Sequence, residues 1–417
     1  MRGPGLLAAL AVAACSTTGS APVPEPRAGP LPLPLLPVSL DDTADYSDLE
    51  PLGRAIGNRR IVLLGENGHG VAEFTMLKSR LIRYLHQRKG FDLVVFESGF
   101  YECHRAGDSL LSRSARDAFR GCLSYVFEHA ELLPLFEYFR SHRESAVALG
   151  FAGMDLQTQG ADSRTRPEFL RSGLRSSDPG LGGRLATADS TLLERTSAGT
   201  DSLRAWVRTQ GRQARALYDS AAPLGGGALR WTIQSASALL DRLLTRESSG
   251  SAGAAPARFY ALRDSWMART VSWLADSLGR SRKVIAWLHN DHARYTELVS
   301  PGGPVEAAGG LLRRSHPESV YSLGFFMGGG SVADNSRRVR GVATPPEESI
   351  ETELGKSGLP AGYLLITGSG MTPGRVWANG IRRYLRAGLT VDSLVPAEEF
   401  DGLVYVRTVR APSYRLP

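Results

Sequence analysis

The feature that most constrains the fold is a run of four apolar residues, Ile61–Leu64, followed at once by a turn, a helix-like pattern and a second apolar run. The turn contains three glycines, and glycine is favoured where the backbone takes positive φ. Apolar residues then recur every three or four positions between 71 and 85, which is the helical period. The second run, 93–96, leads to Glu97. The pattern predicts a β-α-β unit with parallel strands.

Ionisable side chains that could take part in catalysis lie where these predicted strands end. Glu66 and His69 lie in the turn after the first strand, and Glu97 ends the second. A further predicted strand, 284–288, is followed by two more of the chain's eight histidines. Because parallel strands end at one edge of a sheet, where open α/β sheets bind ligands, these groups are expected to converge. The predicted site comprises Glu66, His69, Glu97, His289 and His292.

The rest of the chain extends this unit into a layered fold. Further apolar runs predict strands at 146–152, 320–326, 363–366 and 403–406, and Asp155 follows the first of them at the same edge. Residues 157–282 show amphipathic runs and no strand pattern, so they are expected to form a helical insertion lobe. We therefore predict an α/β fold, a three-layer α/β/α arrangement with a mostly parallel central sheet. The substrate cleft is expected between the sheet and the lobe.

The net charge of +7 and the pI near 9.4 raise the possibility of a nucleic-acid partner. However, the arginines are dispersed among acidic residues, and no zinc-knuckle, RNP or basic-helix pattern accompanies them. The excess charge is therefore interpreted as a solvated surface, and no nucleic-acid partner is expected.

The first residues are typical of an export signal. Residues 1–15 combine a single arginine, a short apolar stretch and small residues that directly precede Cys15, as in the lipobox of bacterial lipoproteins. The apolar stretch is too short to span a bilayer. We expect lipidated Cys15 to anchor the chain at the cell envelope, with Ser16 favouring the outer membrane and the protein facing the periplasm or exterior. An ordinary signal peptide is the alternative.

The expected domain organisation follows from this signal. Residues 16–40 are rich in proline and are predicted to form a tether, and residues 41–417 form one domain with 157–282 as its insertion lobe. Cys103 and Cys122 remain in the mature domain. Because exported compartments are oxidising, a disulfide is favoured over two buried thiols, and a catalytic cysteine is disfavoured.

Several motifs together resemble the erythromycin esterase family, over roughly residues 45 to 410. The departures from the family pattern affect the expected substrate rather than the fold: Gly68 stands where the family usually has Thr, and Thr270 where it commonly has Asn. Lys78 or Arg80 stands in place of a family arginine on the helix after the turn. The matching motifs are Gly65-Glu66-Asn67-Gly68-His69-Gly70, Glu97, Gly153-Met154-Asp155, Arg263-Asp264-x-x-Met267-Ala268, Trp287-x-His289-Asn290-x-His292 and Phe400-Asp401-Gly402-Leu403-Val404-Tyr405.

The resemblance implies water-mediated, serine-independent hydrolysis of a carboxylic ester, such as a macrolide macrolactone or a related small-molecule ester, without a cofactor. The residues suit this chemistry: an imidazole is a natural general base, so His69 is expected to activate water while Glu66 fixes its tautomer. Glu66 or Glu97 can position the water. His289 and His292 can stabilise the oxyanion or protonate the leaving alkoxide. The serine motif Gly-x-Ser-x-Gly is absent from the sequence.

Two other functions use the same residues. The five predicted site residues offer nitrogen and oxygen ligands for zinc or iron, although no His-Glu-x-x-His motif occurs. The fold also resembles that of ChaN-type haem-binding lipoproteins and of Tiki/TraB proteins. A haem- or metal-binding envelope lipoprotein without hydrolase activity, or a metal-dependent hydrolase, are therefore the alternatives. The sequence does not indicate the oligomeric state.

Overall fold

The computed structural model describes residues 33–43, 45–248, 257–276, 282–300, 302–367 and 372–416. The predicted signal peptide, Cys15 and the first part of the predicted tether lie outside the described residues. Within the described part of the chain, no helix is both long enough and apolar enough to cross a bilayer.

An eight-stranded sheet forms the centre of the domain. The strand order is β1-β11-β14-β8-β2-β5-β3-β4, in which the six strands from β14 to β4 are parallel to one another and β11 is antiparallel to both of its neighbours, β14 and β1. Three two-stranded hairpins lie outside this sheet, namely β6–β7, β9–β10 and β12–β13. In chain order the strands are β1 (Leu36–Pro37), β2 (Ile61–Leu64), β3 (Leu93–Gly99), β4 (Gly150–Asp155), β5 (Val284–Trp287), β6 (Glu297–Ser300), β7 (Gly303–Glu306), β8 (Val320–Met327), β9 (Ser331–Ala333), β10 (Val339–Gly341), β11 (Ala361–Leu365), β12 (Arg382–Arg386), β13 (Thr390–Leu394) and β14 (Gly402–Val406).

Helices cover both faces of the sheet, and the longest of them lie between β4 and β5. In chain order they are α1 (Glu50–Ile56), α2 (Ala72–Lys89), α3 (Phe100–Asp108), α4 (Ala115–Cys122), α5 (Leu133–Ser141), α6 (Arg166–Gly173), α7 (Pro179–Ser197), α8 (Thr200–Ala221), α9 (Gly227–Ser248), α10 (Ala257–Asp276), α11 (Asn290–Ala293), α12 (Ala308–Ser315), α13 (Ile350–Gly355), α14 (Pro373–Ala378) and α15 (Pro396–Glu399).

Successive side chains of the buried strands point to opposite faces of the sheet, which produces two hydrophobic cores, one on each face. In β2, Val62 and Leu64 belong to the core beneath α2, whereas Ile61 and Leu63 point to the core beneath α10 and α12. A third core lies within helices α6–α10, which we call the helical lobe. The predicted three-layer α/β/α fold with a mostly parallel sheet and a helical lobe is confirmed.

The predicted strands are present, but their bounds and neighbours differ in places. The strand predicted at 146–152 runs from Gly150 to Asp155, so Asp155 ends the strand rather than following it. The tether predicted to reach residue 40 is wrong for its last part. There, β1 pairs with β11, and Leu33 and Val38 are buried. Pro37 is tolerated because an edge strand does not need its missing N–H.

A disulfide joins Cys103 in α3 to Cys122 at the end of α4, the pairing that the sequence analysis favoured. Nearby, the Ser98 hydroxyl donates to the carbonyl of Cys122 at 2.7 Å. The cross-link and this hydrogen bond therefore hold α4 against the carboxyl end of β3, directly beside Glu97.

Candidate active site

The five predicted site residues meet at the carboxyl edge of the parallel strands. Glu66 and His69 follow β2, Glu97 lies in β3, and His289 follows β5, which is paired between those two strands. The rings of His69 and His289 are 5.4 Å apart, and the backbone N–H of His289 donates to Glu97 Oε2 at 2.8 Å. His292 Nε2 lies 3.6 Å from Glu97 Oε1. The sheet thus brings together groups that are far apart in sequence.

Glu66 and His69 form a buried acid–imidazole pair. Glu66 Oε1 lies 2.7 Å from His69 Nδ1, across a turn in which Gly68 has a φ of +138°. Burial alone would raise the pKa of Glu66, but the charges of Lys78 and His69 lower it below its usual value. The ionised carboxylate therefore accepts a hydrogen bond from Nδ1–H, and Nε2 is left as the basic nitrogen of the ring.

Lys78 on α2 stabilises this pair through Glu66. Its Nζ donates to Glu66 Oε2 at 2.7 Å and lies 4.5 Å from the centre of the Trp287 ring, whose Nε1–H also donates to Glu66 Oε2. Burial lowers the pKa of Lys78 to about 8, although Glu66 opposes the shift. Of the two basic residues considered for the place of the family's helix arginine, Lys78 is the one that contacts the site. Arg80 instead forms an ion pair with Asp48.

His289 is neutral at physiological pH, because burial lowers its pKa to about 4. Its Nδ1 accepts a hydrogen bond from the backbone N–H of Asp291 at 3.2 Å, at the start of α11. A ring nitrogen that accepts carries no proton, so the proton of His289 resides on Nε2. His289 is therefore fixed as a hydrogen-bond donor.

Arg263 on α10 is the functional side chain that the sequence analysis did not assign. Its guanidinium donates to Glu97 Oε1 at 2.6 Å and to Asp155 Oδ2 at 2.7 Å, and its Nη1 lies 2.8 Å from His292 Nε2. Burial raises the pKa of Glu97, but His292 and Arg263 hold it well below its usual range. Its spacing in the sequence could have shown that Arg263 faces the core: it shares one helical stripe with buried Met267 and Val271.

His292 is held between the carboxylate of Asp264 and the guanidinium of Arg263. Asp264 Oδ1 lies 2.8 Å from His292 Nδ1 and also accepts the backbone N–H of Ala308 at 2.9 Å. With Nδ1–H donating to Asp264, Nε2 accepts from Arg263. Arg263 and Asp264, adjacent on α10, therefore fix both the position and the tautomer of His292.

These groups open on a cavity of about 710 Å³. Its other side is formed by residues 332–336, around the β9–β10 turn, and by residues 386–390, around the β12–β13 turn. The predicted cleft between the sheet and the helical lobe is therefore wrong in its outer wall. Among the described residues of 157–282, Arg263 alone lines the cavity, because α10 approaches the edge while the other lobe helices pack on one another.

Asn67 connects the turn that presents His69 to this outer wall. Its Oδ1 accepts the backbone N–H of Ala387 at 2.8 Å, and its Nδ2 donates to the carbonyl of Leu385. Arg386, on the same hairpin, forms an ion pair with Asp291. Both contacts hold the β12–β13 hairpin over His69 and His289, so the hairpin forms part of the cavity wall.

The site residues do not fit the predicted alternative of a metal centre. Within the described part of the chain, no group of three His, Cys, Asp or Glu side chains is arranged to hold a metal ion. The guanidinium of Arg263 occupies the space between Glu97, Asp155 and His292, and its charge would repel a cation there. Nδ1 of His69 is also engaged, by Glu66.

Comparison with known proteins identifies relatives along most of the chain. A family model described as erythromycin esterase matches residues 86–409. The putative hydrolase YbfO of Bacillus subtilis (strain 168) is 23% identical over 395 residues, which cover 88% of this chain and 87% of that protein. An erythromycin esterase type II from Escherichia coli is 24% identical over 287 residues, which cover 64% and 68%.

A solved structure shares the fold. A histidine-to-asparagine mutant of the erythromycin esterase EreC, in its open conformation, superposes with a TM-score of 0.65 at 19% sequence identity. The superposition covers 90% of this chain and 97% of that one.

Proposed function

The chain belongs to the erythromycin esterase family of hydrolases, and from this premise we propose that it cleaves a carboxylic ester or lactone with water as the nucleophile. His69 is the general base in this proposal. The observation that carries it is the buried series Lys78–Glu66–His69, which leaves one imidazole nitrogen available next to the cavity.

The proposed base is oriented and tuned by its neighbours. Burial alone would lower the pKa of His69, but the hydrogen bond to Glu66 and the charge of Glu97 raise it above its usual value. A raised pKa makes the neutral imidazole a stronger base, at the expense of the fraction that is neutral near pH 7. Glu66 also stabilises the imidazolium that forms when His69 takes a proton from water.

Donors for the developing negative charge lie beside the base. His289 carries its proton on Nε2, and Arg263 brings a fixed positive charge to the same cavity. In the proposal, His289 donates to the oxyanion, and Arg263 and Asp264 hold His292 near the leaving alkoxide. These groups are already in place, so little reorganisation accompanies the reaction.

Water is favoured over a serine nucleophile by the geometry of the cavity. Among the described residues that line the cavity, Ser336 is the single serine, and its backbone N–H donates to Asp334 in an exposed turn. The best-placed imidazole, that of His69, contacts Glu66 and the rings of Phe127 and His289 instead.

The substrate we propose is a macrolide-type lactone or a related ester. A cavity of about 710 Å³ lies within the roughly 300–1,000 Å³ typical of sites for molecules of that size. The test is incubation of the protein with a panel of macrolides and simple esters, with mass spectrometry to detect a gain of one water.

Replacement of the proposed base is the sharpest test. His69→Ala should lower kcat/KM by about 10²–10⁴-fold, as loss of a general base does, while the fold is retained by circular dichroism. His104→Ala is the matched control, because His104 lies on α3 in a partly exposed pair with Asp108 and does not line the cavity. In the parent, kcat/KM should rise with pH through a pKa above 6.5, since the neutral imidazole is the active form. An active His69→Ala variant refutes the mechanism.

The metal-dependent alternative has its own signature. Activity that disappears on chelation and dialysis, and returns with zinc, would replace the proposal with a metal-dependent hydrolase. A haem-binding role would appear as a Soret band in the purified protein.

We also propose that Cys15 is lipidated and holds the domain at the cell envelope. The proposal depends on the sequence of residues 1–15 alone. Incorporation of labelled palmitate by the parent and its loss in Cys15→Ser are expected, and equal labelling of both chains would contradict it.

A further inference from the structure

The outer surface of the helical lobe carries two overlapping cavities that the hydrolase proposal does not use. They measure about 600 and 530 Å³ and share Arg215, Asp219 and Asp241 as lining residues. Their walls come from α8, α9 and α10. We call this continuous depression the lobe groove.

The lobe groove is strongly basic. Of the residues that the structure describes, six arginines and three carboxylates line it, which leaves a formal charge of +3, nearly half of the +7 of the whole chain. Such a local excess attracts anions and raises their concentration at the surface. The arginines are Arg208, Arg212, Arg215, Arg230, Arg258 and Arg269, and the carboxylates are Asp219, Asp241 and Glu247.

The ion pairs inside the groove leave its guanidinium groups accessible. Arg215 lies 3.7 Å from Asp219, and Arg258 lies 3.4 Å from Asp241. The side chains of these two arginines are 41% and 68% exposed. Exposed single-contact pairs contribute little to stability and are easily exchanged. An incoming anion can therefore bind two N–H groups of a guanidinium at little cost in stability.

An aromatic and hydroxyl-lined surface continues the groove at one end. Arg269 lies over the rings of Trp266 and Trp231, at 5.3 and 5.8 Å from their centres. Arg269 and Trp231 also line a third cavity of about 400 Å³. The serines of that cavity, Ser265, Ser272 and Ser315, add hydroxyl donors and acceptors.

We propose that the lobe groove binds an acidic polysaccharide. Carboxylates of uronic-acid units match the arginine fork, and the sugar hydroxyls between them can donate to Asp219, Asp241 and Gln234. A DNA backbone offers no hydroxyl donors between its phosphates, so the same carboxylates would repel it.

The groove is separate from the catalytic edge, although the two share a helix. On α10, Leu262, Trp266 and Arg269 line the groove, whereas Arg263 lines the catalytic cavity. Binding of a polysaccharide therefore does not depend on the hydrolase proposal, and either can fail without the other.

The test is calorimetric titration of the full chain with alginate oligomers as the uronic-acid probe. Saturable binding that weakens with salt is expected, with no binding of neutral dextran. Arg215→Glu combined with Arg269→Glu should weaken alginate binding about tenfold or more, the loss expected for removed charge-assisted contacts. Arg171→Glu, an exposed lobe arginine outside the groove, is the matched control and should change binding less than about twofold.

A milder double substitution keeps the test interpretable if charge reversal unfolds the lobe. Arg215→Gln with Arg269→Gln removes the charges without introducing acids, and it should weaken binding in the same direction. The proposal is overturned if the parent does not bind alginate, or if folded groove variants bind it as tightly as the parent. It is also overturned if single-stranded DNA binds as tightly as alginate, because the groove is then a general polyanion site.

Discussion

Arg263 and Arg166 are two arginines of the helical lobe that are each held by carboxylates, yet they have different surroundings. Arg263 contacts Glu97, Asp155 and His292, and its side chain is 16% exposed at the catalytic cavity. Arg166 contacts Asp189 through Nε and Nη2, is 4% exposed, and lines none of the cavities described above.

The difference shows that a buried charge is not by itself evidence of a site. Tyr218 closes the Arg166 group, because its hydroxyl donates to Asp189 at 2.5 Å. This network joins α6, α7 and α8, and its polar atoms are directed at one another. In the Arg263 group an imidazole is added and the polar atoms face open space. Arg263 is therefore the arginine that we propose acts in catalysis, whereas Arg166 stabilises the fold of the lobe.

Removing Arg166 should have the largest effect on stability. Arg166→Met leaves Asp189 buried without its cation, which typically costs about 3–5 kcal/mol. Chemical denaturation followed by circular dichroism measures the loss. Arg171→Met is the control, since its exposed pair with Glu168 should contribute less than about 1 kcal/mol. Equal small losses in both variants would show that the lobe does not depend on the buried network.

Removing Arg263 should affect catalysis more than stability. Arg263→Ala is expected to lower kcat/KM about 10²-fold or more, because Glu97 and His292 lose the group that positions them. Water in the cavity can solvate the remaining carboxylates, so the free energy of unfolding should fall by less than in Arg166→Met. Steady-state kinetics and denaturation on the same samples decide the question. The distinction between the two arginines is lost if Arg263→Ala unfolds as readily and loses no activity beyond its unfolded fraction.

A smaller, pH-dependent effect should separate the two groups further. Glu102 lies 3.9 Å from Arg166, and burial raises its pKa to about 7. The folded protein then holds a proton that the unfolded chain releases between about pH 4.5 and 7. Glu102 therefore contributes a loss of stability as pH rises through that window. Glu102→Gln should remove this contribution, which is about 1–3 kcal/mol in the difference between parent and variant. Parallel unfolding curves at all pH values would contradict the assignment.

The sequence allowed the sheet and the edge that carries the site to be predicted, for a physical reason. A buried parallel strand such as β2 or β5 is a continuous apolar run, and the polar residue that ends it must lie at the common edge. Glu66, His69 and His289 could therefore be assigned together without coordinates. Their order in space followed from chain topology rather than from any local signal.

The outer wall and the arginine could not be predicted in the same way. The strands of β9–β10 and β12–β13 are three to five residues long, and their exposed arginines interrupt the apolar alternation that marks a strand. Arg263 finds its partners at Asp155 and Glu97, which are 108 and 166 positions away in the chain. Such contacts depend on the packing of α10, which no local pattern encodes.

The contacts of Asn67 have a consequence for how this scaffold can change. One amide, two positions before the proposed base, fastens a hairpin more than 300 residues later through two main-chain groups. Neither contact involves a hairpin side chain. Apart from Arg386 and its buried apolar positions, the hairpin sequence is thus free to vary, by natural drift or by grafting, as long as its backbone keeps the same path. New molecular shapes can be accommodated on that side while the opposite side keeps its geometry.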